Sequence, residues 1–494
     1  MKRPRWTIRG AAIAIAGCTA VATASLGAAP APAATTPGPT VKLIAAQNSI
    51  TAQRFGRYVF LDPGIYVAAL GSALEFDVQR ASYSEPRTIT QVIHLPDGST
   101  QTVPLPATVL GGWSGLRNFL HVKVTNSSGK VVASRTMTFC PNVFDPQKAD
   151  PDGAVTSPYP FGCRSNPFQL GSVWGVANGW GADPMEFSGT RFRLSLGTYH
   201  VTETIAPRFV QLLNIAAADA TATVKVKVVK GTGCCGASHR GGRTRSGPLP
   251  RLPSAPTLTN PPASALPDLV PLPSFGIRTS HTRATSAHPA SDHLNFGANV
   301  WIGGNAQLDV QGFRSNGSPV MKAYQYFWQD GQIIGRARAG TMGFDGKPGH
   351  NHWHFEQFAK YRLLNSAKSL AVWSHKVGFC IAPTDAINLV LPNAVWQPQF
   401  LGFGTCGSPT TLWVQEALPL GWGDTYVQSR AGQSFDITHL PNGTYYIEVI
   451  ANPEHLLYET TTSNDVSLRK VILGGTRGHR TVHVPAFDGI DPEH

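Results

Sequence analysis

The chain has 494 residues, a formal net charge of +12 and seven cysteines. One ordinary hydrophobic core does not extend over this length, so we expect two domains together with non-globular segments. The positive charge does not indicate nucleic-acid binding, because no basic patch with interleaved aromatic residues occurs. Eight of the basic residues fall in an N-terminal signal and a proline-rich stretch: Lys2, Arg3, Arg5, Arg9, Arg240, Arg243, Arg245 and Arg251.

The first 33 residues have the features of an export signal. A basic start is followed by small and apolar residues over 11–29, and Ala31-Pro32-Ala33 is typical of a cleavage site. We therefore expect residues 1–33 to be removed and the protein to be secreted. A small residue pair also precedes Cys18, so a lipid anchor at this cysteine is the alternative. No other apolar run is long enough to span a bilayer.

Short apolar runs flanked by Gly, Pro and Asn occur throughout the rest of the chain, and long helical periodicity is absent. We therefore predict an all-β fold with two related, sandwich-like β-rich domains that carry long loops. The domains would span 36–235 and 264–475. Residues 236–263 are rich in Gly, Arg, Ser and Pro and predict a semi-rigid linker, and 476–494 would form a C-terminal tail.

The two predicted domains share a weak internal repeat. Trp113 precedes Cys140 by the same spacing with which Trp353 precedes Cys380, and a phenylalanine stands directly before each cysteine. Further matches follow in the same order: Phe161-Gly162-Cys163 with Phe403-Gly404-Thr405-Cys406, Gly179-Trp180-Gly181 with Gly421-Trp422-Gly423, and Gly197-Thr198-Tyr199 with Gly443-Thr444-Tyr445. Four matches in order indicate a duplicated scaffold.

Six cysteines remain after removal of the signal, and an even number in an exported chain favours disulfides. The repeat suggests the simplest pairing, which joins Cys140 to Cys163 and Cys380 to Cys406. The adjacent pair Cys234 and Cys235 has no counterpart in the other half and stays unassigned.

Three histidines in alternation are the most informative feature of the sequence. His350, His352 and His354 would all face one side of a β-strand and could converge on one metal ion. Imidazole nitrogen suits copper or zinc, and three ligands leave positions open for water, dioxygen or substrate. The first half has Gly112-Trp113-Ser114-Gly115 at this place, so the scaffold does not need histidines to fold. Surface histidines in a loop are the alternative interpretation.

Residues 266–473 resemble the catalytic domain of lysyl oxidases. The matching motifs, in the order of the family, are Leu266-Pro267-Asp268-Leu269-Val270, Leu294-Asn295-Phe296, the histidine run, Phe358-Ala359-Lys360-Tyr361-Arg362-Leu363-Leu364, His375-Lys376-Val377-Gly378-Phe379-Cys380, Gly423-Asp424-Thr425-Tyr426 and Asn452-Pro453. The resemblance implies a secreted, copper-dependent amine oxidase. Such an enzyme uses molecular oxygen to convert primary amines, including peptidyl lysine or small amines, to aldehydes, hydrogen peroxide and ammonia.

The resemblance also implies roles for individual residues. His350, His352 and His354 would bind copper(II), while Lys376 and Tyr426 would form the cofactor lysine tyrosylquinone. The first half lacks counterparts of all five residues. The resemblance does not identify the catalytic base, for which Asp424 and His375 are candidates because they neighbour the cofactor residues in sequence.

A calcium site is a further implication of the resemblance. The matching positions are Asp268, Leu269, Glu459, Thr461, Asn464 and Asp465. Oxygen ligands suit calcium, but Thr461 stands where the family usually has an acid, so a solvated turn is the alternative. Lys347 likewise stands where animal members of the family have an additional histidine.

Two other functions are compatible with the histidines. The first is a non-catalytic secreted protein of two modules that binds copper or zinc. The second is a zinc hydrolase in which Glu356, on the strand face of His354, supplies a carboxylate base. Neither function gives Lys376 and Tyr426 a role.

Overall fold

The computed structural model describes residues 38–186, 191–231, 255–286, 289–314, 318–346, 352–374, 376, 378–398, 406–430 and 432–493. Several residues singled out above lie outside this set: the predicted export signal with Cys18, most of the linker, Cys234, Cys235, Lys347, His350 and His375. Gly38–His494 form one compact unit. In the described part of the chain, no helix has the length and apolar character needed to cross a membrane.

The first half, residues 38–231, is built from short strands with a single described α-helix. Polar and apolar residues alternate along most of them, as in the last strand, where Val224, Val226 and Val228 are buried and Lys225 and Lys227 are exposed. The elements are β1 (Thr40–Ala45), β2 (Ser49–Phe55), β3 (Tyr58–Phe60), β4 (Ile65–Leu70), β5 (Leu74–Gln79), β6 (Thr88–His94), β7 (Thr100–Leu105), β8 (Leu116–Asn126), β9 (Val131–Phe139), β10 (Gln147–Lys148), β11 (Gly171–Val176), β12 (Trp180–Ala182), β13 (Arg191–Phe192), β14 (Gly197–Ile205), α1 (Pro207–Leu212) and β15 (Thr221–Lys230).

Three sheets arrange these strands around one core. Their orders are β1-β4-β12-β10, β11-β5-β6-β7 and β13-β3-β2-β15-β14-β8-β9. Residues from all three sheets, including Val67, Phe76 and Val201, belong to a single buried cluster. The first half is therefore a layered β structure in which sheets pack on one another.

The second half, residues 255–493, is also built from strands. They are β16 (Pro267–Pro271), β17 (Phe275–Thr282), β18 (Ser291–Gly304), β19 (Leu308–Phe313), β20 (Val320–Gln329), β21 (Gln332–Asp345), β22 (His352–Phe355), β23 (Ala359–Leu364), β24 (Leu370–Trp373), β25 (Asp385–Ala386), β26 (Trp413–Leu418), β27 (Trp422–Tyr426), β28 (Ser434–Asp436), β29 (Gly443–Ala451), β30 (Val466–Thr476) and β31 (His479–His483). Three-residue 3₁₀ turns occur in both halves, at Ala107–Val109 and Ala217–Asp219 in the first and at Ala263–Ala265 in the second.

Three sheets again surround one core in this half. Their orders are β16-β18-β27-β25, to which β17 and β28 add through β18, β22-β21-β20-β19-β26, and β24-β23-β29-β30-β31. Leu294, Trp353 and Ile447 come from different sheets and belong to the same buried cluster. The prediction of an all-β fold is confirmed, whereas the exact domain boundaries stay a prediction.

The structure extends the internal repeat from sequence to hydrogen bonds. The hydroxyl of Tyr199 donates to the carbonyl of Ser195 at 2.9 Å, and that of Tyr445 donates to the carbonyl of Pro441 at 2.9 Å. Each tyrosine lies near the start of a strand, β14 or β29, that pairs with neighbours on both sides. The same side chain thus fixes the same corner in both halves.

Both predicted disulfides are confirmed. Cys140 is bonded to Cys163 and Cys380 to Cys406, with a Cα–Cα distance of 5.8 Å in each case. Each bond closes a loop of similar length, which in the chain-entropy account stabilises the fold by about 3 kcal/mol.

The two halves pack against each other through apolar side chains. Phe168 of the first half is fully buried in a cluster with Leu272, Trp301 and Ile387 of the second half. The amide of Leu170 also donates to the carbonyl of Ile387 at 2.7 Å. The two halves therefore share an interface with a buried core.

Two segments predicted as linker and tail are packed. The amide of Leu258 donates to the carbonyl of Arg336 at 2.8 Å, so the end of the predicted linker lies along β21. Phe487 and Ile490 of the predicted tail pack against the cluster that contains Phe168. Composition alone did not indicate these contacts, because both segments reach partners that are distant in sequence.

Candidate functional site

β22 carries two of the three predicted histidine ligands. It pairs with β21, so that His352 lies opposite Asp345 and His354 opposite Gly343. The ring centroids of His352 and His354 are 4.5 Å apart, and His354 is 7% exposed. The two imidazoles are therefore neighbours, as the strand alternation predicted, while His350 lies outside the described residues.

Apolar residues that alternate with the histidines anchor this strand. Trp353 and Phe355 are buried in the core of the second half. The amide of Trp353 donates to the carbonyl of Cys406 at 2.8 Å, and its indole N–H donates to the carbonyl of Ser408 at 2.9 Å. The alternation thus turns the anchors inward and the imidazoles to the opposite face.

The segment around Gly378 runs directly beside the histidine strand. Phe355 and Phe379 exchange two backbone hydrogen bonds of 2.8 and 3.0 Å. A Cβ atom at Gly378 would lie 2.7 Å from the Cβ of His354. Glycine is therefore needed at this position for the close approach.

Lys376 and Tyr426 are brought into contact by the fold. The Lys376 Nζ lies 4.2 Å from the centroid of the Tyr426 ring and 5.1 Å from that of Phe379. Lys376 is 7% exposed. Gly432, at φ +80°, packs its backbone against Lys376, where an added Cβ would lie 3.0 Å from the lysine Cα. The amine is thus close to two aromatic rings, while the backbone of Gly432 packs against the Cα of the lysine.

The Tyr426 ring is fixed at its hydroxyl. It accepts a hydrogen bond from the amide of Cys380 at 2.7 Å and donates one to the carbonyl of the same residue at 3.0 Å. The Phe379 ring stands perpendicular to it, with centroids 5.1 Å apart. Because Cys380 follows Gly378 closely in sequence, one short segment contacts His354, Lys376 and Tyr426 in turn.

Burial controls the charge of this pair. It lowers the pKa of Lys376 to about 8, against the attraction of Asp424 and Asp345, which favours the charged amine. Burial also raises the pKa of Tyr426 well above its usual value, and the negative charges of Asp424 and Glu416 act in the same direction. Burial therefore shifts both groups toward their neutral forms, so that the phenol is neutral and a fraction of the amine is uncharged at neutral pH.

Two buried carboxyl groups lie behind the pair. Asp424 is 3% exposed, and its Oδ2 has no hydrogen-bond partner among the described residues. Glu416 is fully buried, and its Oε2 accepts a hydrogen bond from the amide of Ile381 at 3.0 Å. Burial raises the pKa of both groups well above the usual range. Sequence reasoning missed Glu416, although an acid within the apolar run of β26 was a usable signal.

The predicted calcium ligands also come together. Glu459 Oε2 accepts from the amide of Leu269 at 3.1 Å, and the Asn464 amide donates to Asp268 Oδ2 at 2.9 Å. Among the described residues, buried oxygens of Asp268, Asn464 and Asp465 have no hydrogen-bond donor. Unpaired acceptor oxygens at one place are compatible with a hard cation.

No complete metal centre is assembled by the residues that the structure describes. Among them, no group of three or more His, Cys, Asp or Glu side chains is arranged to hold a metal ion. For the histidines, the third predicted ligand falls outside this set. For the calcium residues, the carboxylates are neighbours but do not form a coordination sphere as they stand.

Part of the second half is similar to a known family of proteins. Residues 343–481 match the family model described as Lysyl oxidase. Lysyl oxidase homolog 2 from Gallus gallus is 29% identical over 169 residues, which are 33% of this chain and 20% of that protein. Protein-lysine 6-oxidase from Rattus norvegicus is 29% identical over 119 residues, 24% of this chain and 25% of that protein.

A third relative has a similar identity over a similarly short part of its length. Lysyl oxidase homolog 4 from Mus musculus is 29% identical over 133 residues, which are 26% of this chain and 16% of that protein. The chain thus spans a quarter or less of the length of these relatives. The family match over residues 343–481 includes the histidine strand, Lys376 and Tyr426.

Proposed function

We propose, from the premise that the C-terminal half contains a lysyl oxidase domain, that this chain is a secreted copper-dependent amine oxidase. It would act on primary amines, either lysine-type side chains or small amines, and use dioxygen to give aldehydes, hydrogen peroxide and ammonia. The observation that carries the proposal is the contact of 4.2 Å between the Lys376 amine and the Tyr426 ring.

Copper fits the donor set of the histidine strand. His352 and His354 offer imidazole nitrogens from adjacent rings, and His350 would complete the set. The proposed role of copper is to supply, with dioxygen, the redox chemistry that converts Tyr426 and Lys376 to lysine tyrosylquinone. The quinone would then provide the carbonyl at which a substrate amine is oxidised.

The protein's own groups prepare this chemistry. Burial keeps a fraction of the Lys376 amine neutral, and only the neutral amine can attack a ring carbon. Phe379 lies against the amine, and the backbone of Gly432 packs against the Cα and Cβ of Lys376. The backbone of Cys380 holds the ring by its hydroxyl, which limits the approach to one geometry.

Asp424 is the described residue best suited to move a proton at this site. Its carboxyl is buried next to Lys376, and burial raises its pKa well above the usual value, which makes it a stronger base. The unpaired Oδ2 supports this assignment. The other candidate, His375, lies outside the described residues.

Calcium binding belongs to the proposal as a structural role. Asp268, Glu459, Asn464 and Asp465, with the backbone of Leu269, would hold the ion after a small rearrangement. Burial raises the pKa of Glu459 to about 7 and that of Asp465 to about 6, and the neighbouring negative charges add to both shifts. A divalent cation would remove this repulsion.

The decisive experiment is loading of purified protein with copper in air. We expect a visible quinone absorption band that phenylhydrazine traps, and peptide mass mapping should find Lys376 linked to Tyr426. Tyr426→Phe and Lys376→Ala should each abolish the band while copper uptake continues, and zinc loading should give none. Copper binding without a band would support the non-catalytic alternative. Zinc-dependent hydrolysis that Glu356→Gln removes would support the hydrolase.

A further inference from the structure

A loop of the first half enters the second half close to the candidate site. This loop, residues 165–169, begins two residues after the disulfide-bonded Cys163. Its Phe168 is fully buried among Leu272, Trp301 and Ile387. Phe168 thus anchors the loop by a contact that only the two halves together can make.

Hydrogen bonds within the loop fix its shape. The amide of Ser165 donates to the side-chain oxygen of Gln169 at 3.0 Å, and the amide of Phe168 donates to the side-chain oxygen of Asn166 at 3.0 Å. Asn166 and Gln169 are both 1% exposed. The loop therefore presents the remaining donors of Ser165 and Asn166 in a defined direction.

Those donors meet the carboxylate of Asp385 in the second half. The Ser165 hydroxyl donates to Oδ1 at 3.2 Å, and the Asn166 amide donates to Oδ2 at 3.3 Å. The Ser165 hydroxyl oxygen also accepts from the amide of Ala386 at 2.8 Å. Both oxygens of Asp385 are thus held by the first half.

Asp385 also holds the strand of the cofactor tyrosine. Its Oδ2 accepts a hydrogen bond from the hydroxyl of Thr425, which lies between Asp424 and Tyr426 on β27. The Thr425 hydroxyl oxygen also accepts from the Asn299 amide at 2.8 Å. The chain of contacts runs from the first half through Asp385 to the residue next to Tyr426.

We infer that Asp385 is a positioning residue through which the first half sets the Lys376–Tyr426 contact. Hydrogen bonds to a carboxylate are stronger and more directional than neutral ones, so this carboxylate can fix the end of β27. Small displacements of reacting groups lower reaction rates strongly. The first half is then a required part of the active site although it contributes no reacting atom.

This inference rests on the proposed function for its effect on quinone formation, but its structural part is independently measurable. Asp385→Asn keeps the size of the side chain and removes the charge. Ser165→Ala removes two contacts of the first half and leaves the bond between Asp385 and Thr425. Gln397→Ala is the matched control, because its amide donates across the same interface to the Tyr159 carbonyl and not to Asp385 or Thr425.

The test combines hydrogen exchange of the copper-free full chain with quinone formation after copper loading. In Asp385→Asn we expect exchange of 422–426 to rise about tenfold relative to 413–418, and quinone formation to slow by about tenfold, with copper uptake unchanged. Ser165→Ala should act in the same direction to a smaller extent, and it decides the matter if Asp385→Asn does not fold.

Two results would overturn the inference. The first is that residues 422–426 of the folded Asp385→Asn and Ser165→Ala variants exchange at the same rate as in the wild type. The second is that Gln397→Ala raises the exchange of 422–426 equally, which would show a general weakening of the interface. Absence of a quinone in the wild type would instead defeat the proposed function, and the exchange of 422–426 would still decide whether Asp385 positions β27.

Discussion

The Lys376 Nζ lies 4.2 Å from the centre of the Tyr426 ring, and the Tyr426 hydroxyl is hydrogen-bonded to the backbone of Cys380. A charged amine in this place is attracted by the face of the ring, whereas burial favours the neutral form. The balance of the two sets how much reactive amine is present at a given pH.

Quinone formation should therefore depend on pH through Lys376. Because burial lowers its pKa to about 8, the neutral fraction rises about fivefold between pH 7 and pH 8 and levels off above pH 9. We expect the initial rate of formation of the quinone band, measured with bound copper, to follow this curve. A rate that keeps rising toward pH 10.5 would show that Lys376 is not desolvated.

A matched variant separates this effect from general effects of pH. Lys376→Arg keeps a positive charge and about the same length but stays protonated at every accessible pH. It should bind copper and give no band at any pH. A band in this variant would assign the cross-link to another residue.

Gly378 should be essential for the geometry of His354. A Cβ at this position would lie 2.7 Å from the Cβ of His354, so Gly378→Ala must displace the histidine strand. We expect copper affinity to fall by about tenfold or more, as is typical when the support of a metal ligand is changed. Isothermal titration with copper measures the affinity, and calorimetric melting shows whether the variant folds.

Gly346→Ala is the control for this prediction. The nearest atom to an added Cβ there is a ring carbon of Phe344 at 3.6 Å, which is ordinary contact. Its copper affinity should match that of the wild type. Equal copper binding by both variants and the wild type would show that the close approach at Gly378 does not position the ligand.

Local sequence patterns predicted part of this site. Alternation placed His352 and His354 on one face of a strand because residues two apart share a face in any strand. The repeat predicted both disulfides, since each half carries the same pair of cysteines. The resemblance named Lys376 and Tyr426, and the family match over 343–481 includes both positions.

Long-range contacts account for what sequence reasoning missed. Asp385 gains its role from Ser165 and Asn166, which lie in the other half, and no short motif contains all three. Glu416 affects the pKa of Tyr426 only because β26 places its carboxyl group near the tyrosine. The end of the linker was assigned by composition, which does not report that Leu258 pairs with the backbone of β21.

Calcium should stabilise the chain in a pH-dependent way. Burial raises the pKa of Glu459 to about 7 and that of Asp465 to about 6, so the folded state retains protons that the unfolded state releases. Without calcium, stability contributed by these groups is then present at low pH and is lost as pH rises from about 4 to about 7. Calcium should restore it at neutral pH.

Melting curves at pH 5 and pH 7.5, with and without calcium, measure this effect. At a calcium concentration of about 100 times Kd, the expected gain is about 2.7 kcal/mol at pH 7.5, with a smaller gain at pH 5. Asp465→Asn should lose the gain, and Thr461→Asp, which adds a carboxylate, should increase it. If millimolar calcium does not change the melting temperature at pH 7.5, these residues do not bind calcium and form only a buried polar turn.

Replacement of Asp424 by asparagine should favour cofactor formation at lower pH and slow turnover. Its negative charge favours the protonated form of Lys376, so Asp424→Asn should lower the pKa of the lysine below 8 and move quinone formation to lower pH. The same variant removes the group that we propose to accept the substrate proton. Its kcat should therefore fall by about 10²- to 10⁴-fold although the quinone is present.

Glu416→Gln gives the comparison for this prediction. It neutralises the other buried carboxyl group and retains an oxygen that can accept the hydrogen bond of Ile381. We expect it to keep most of its turnover, because Glu416 does not act directly on Lys376. Phenylhydrazine titration gives the quinone content of each variant, and oxygen consumption gives kcat per quinone. Loss of the quinone in Asp424→Asn would show that this carboxyl supports the structure of the site, because a proton acceptor acts only after the cofactor has formed.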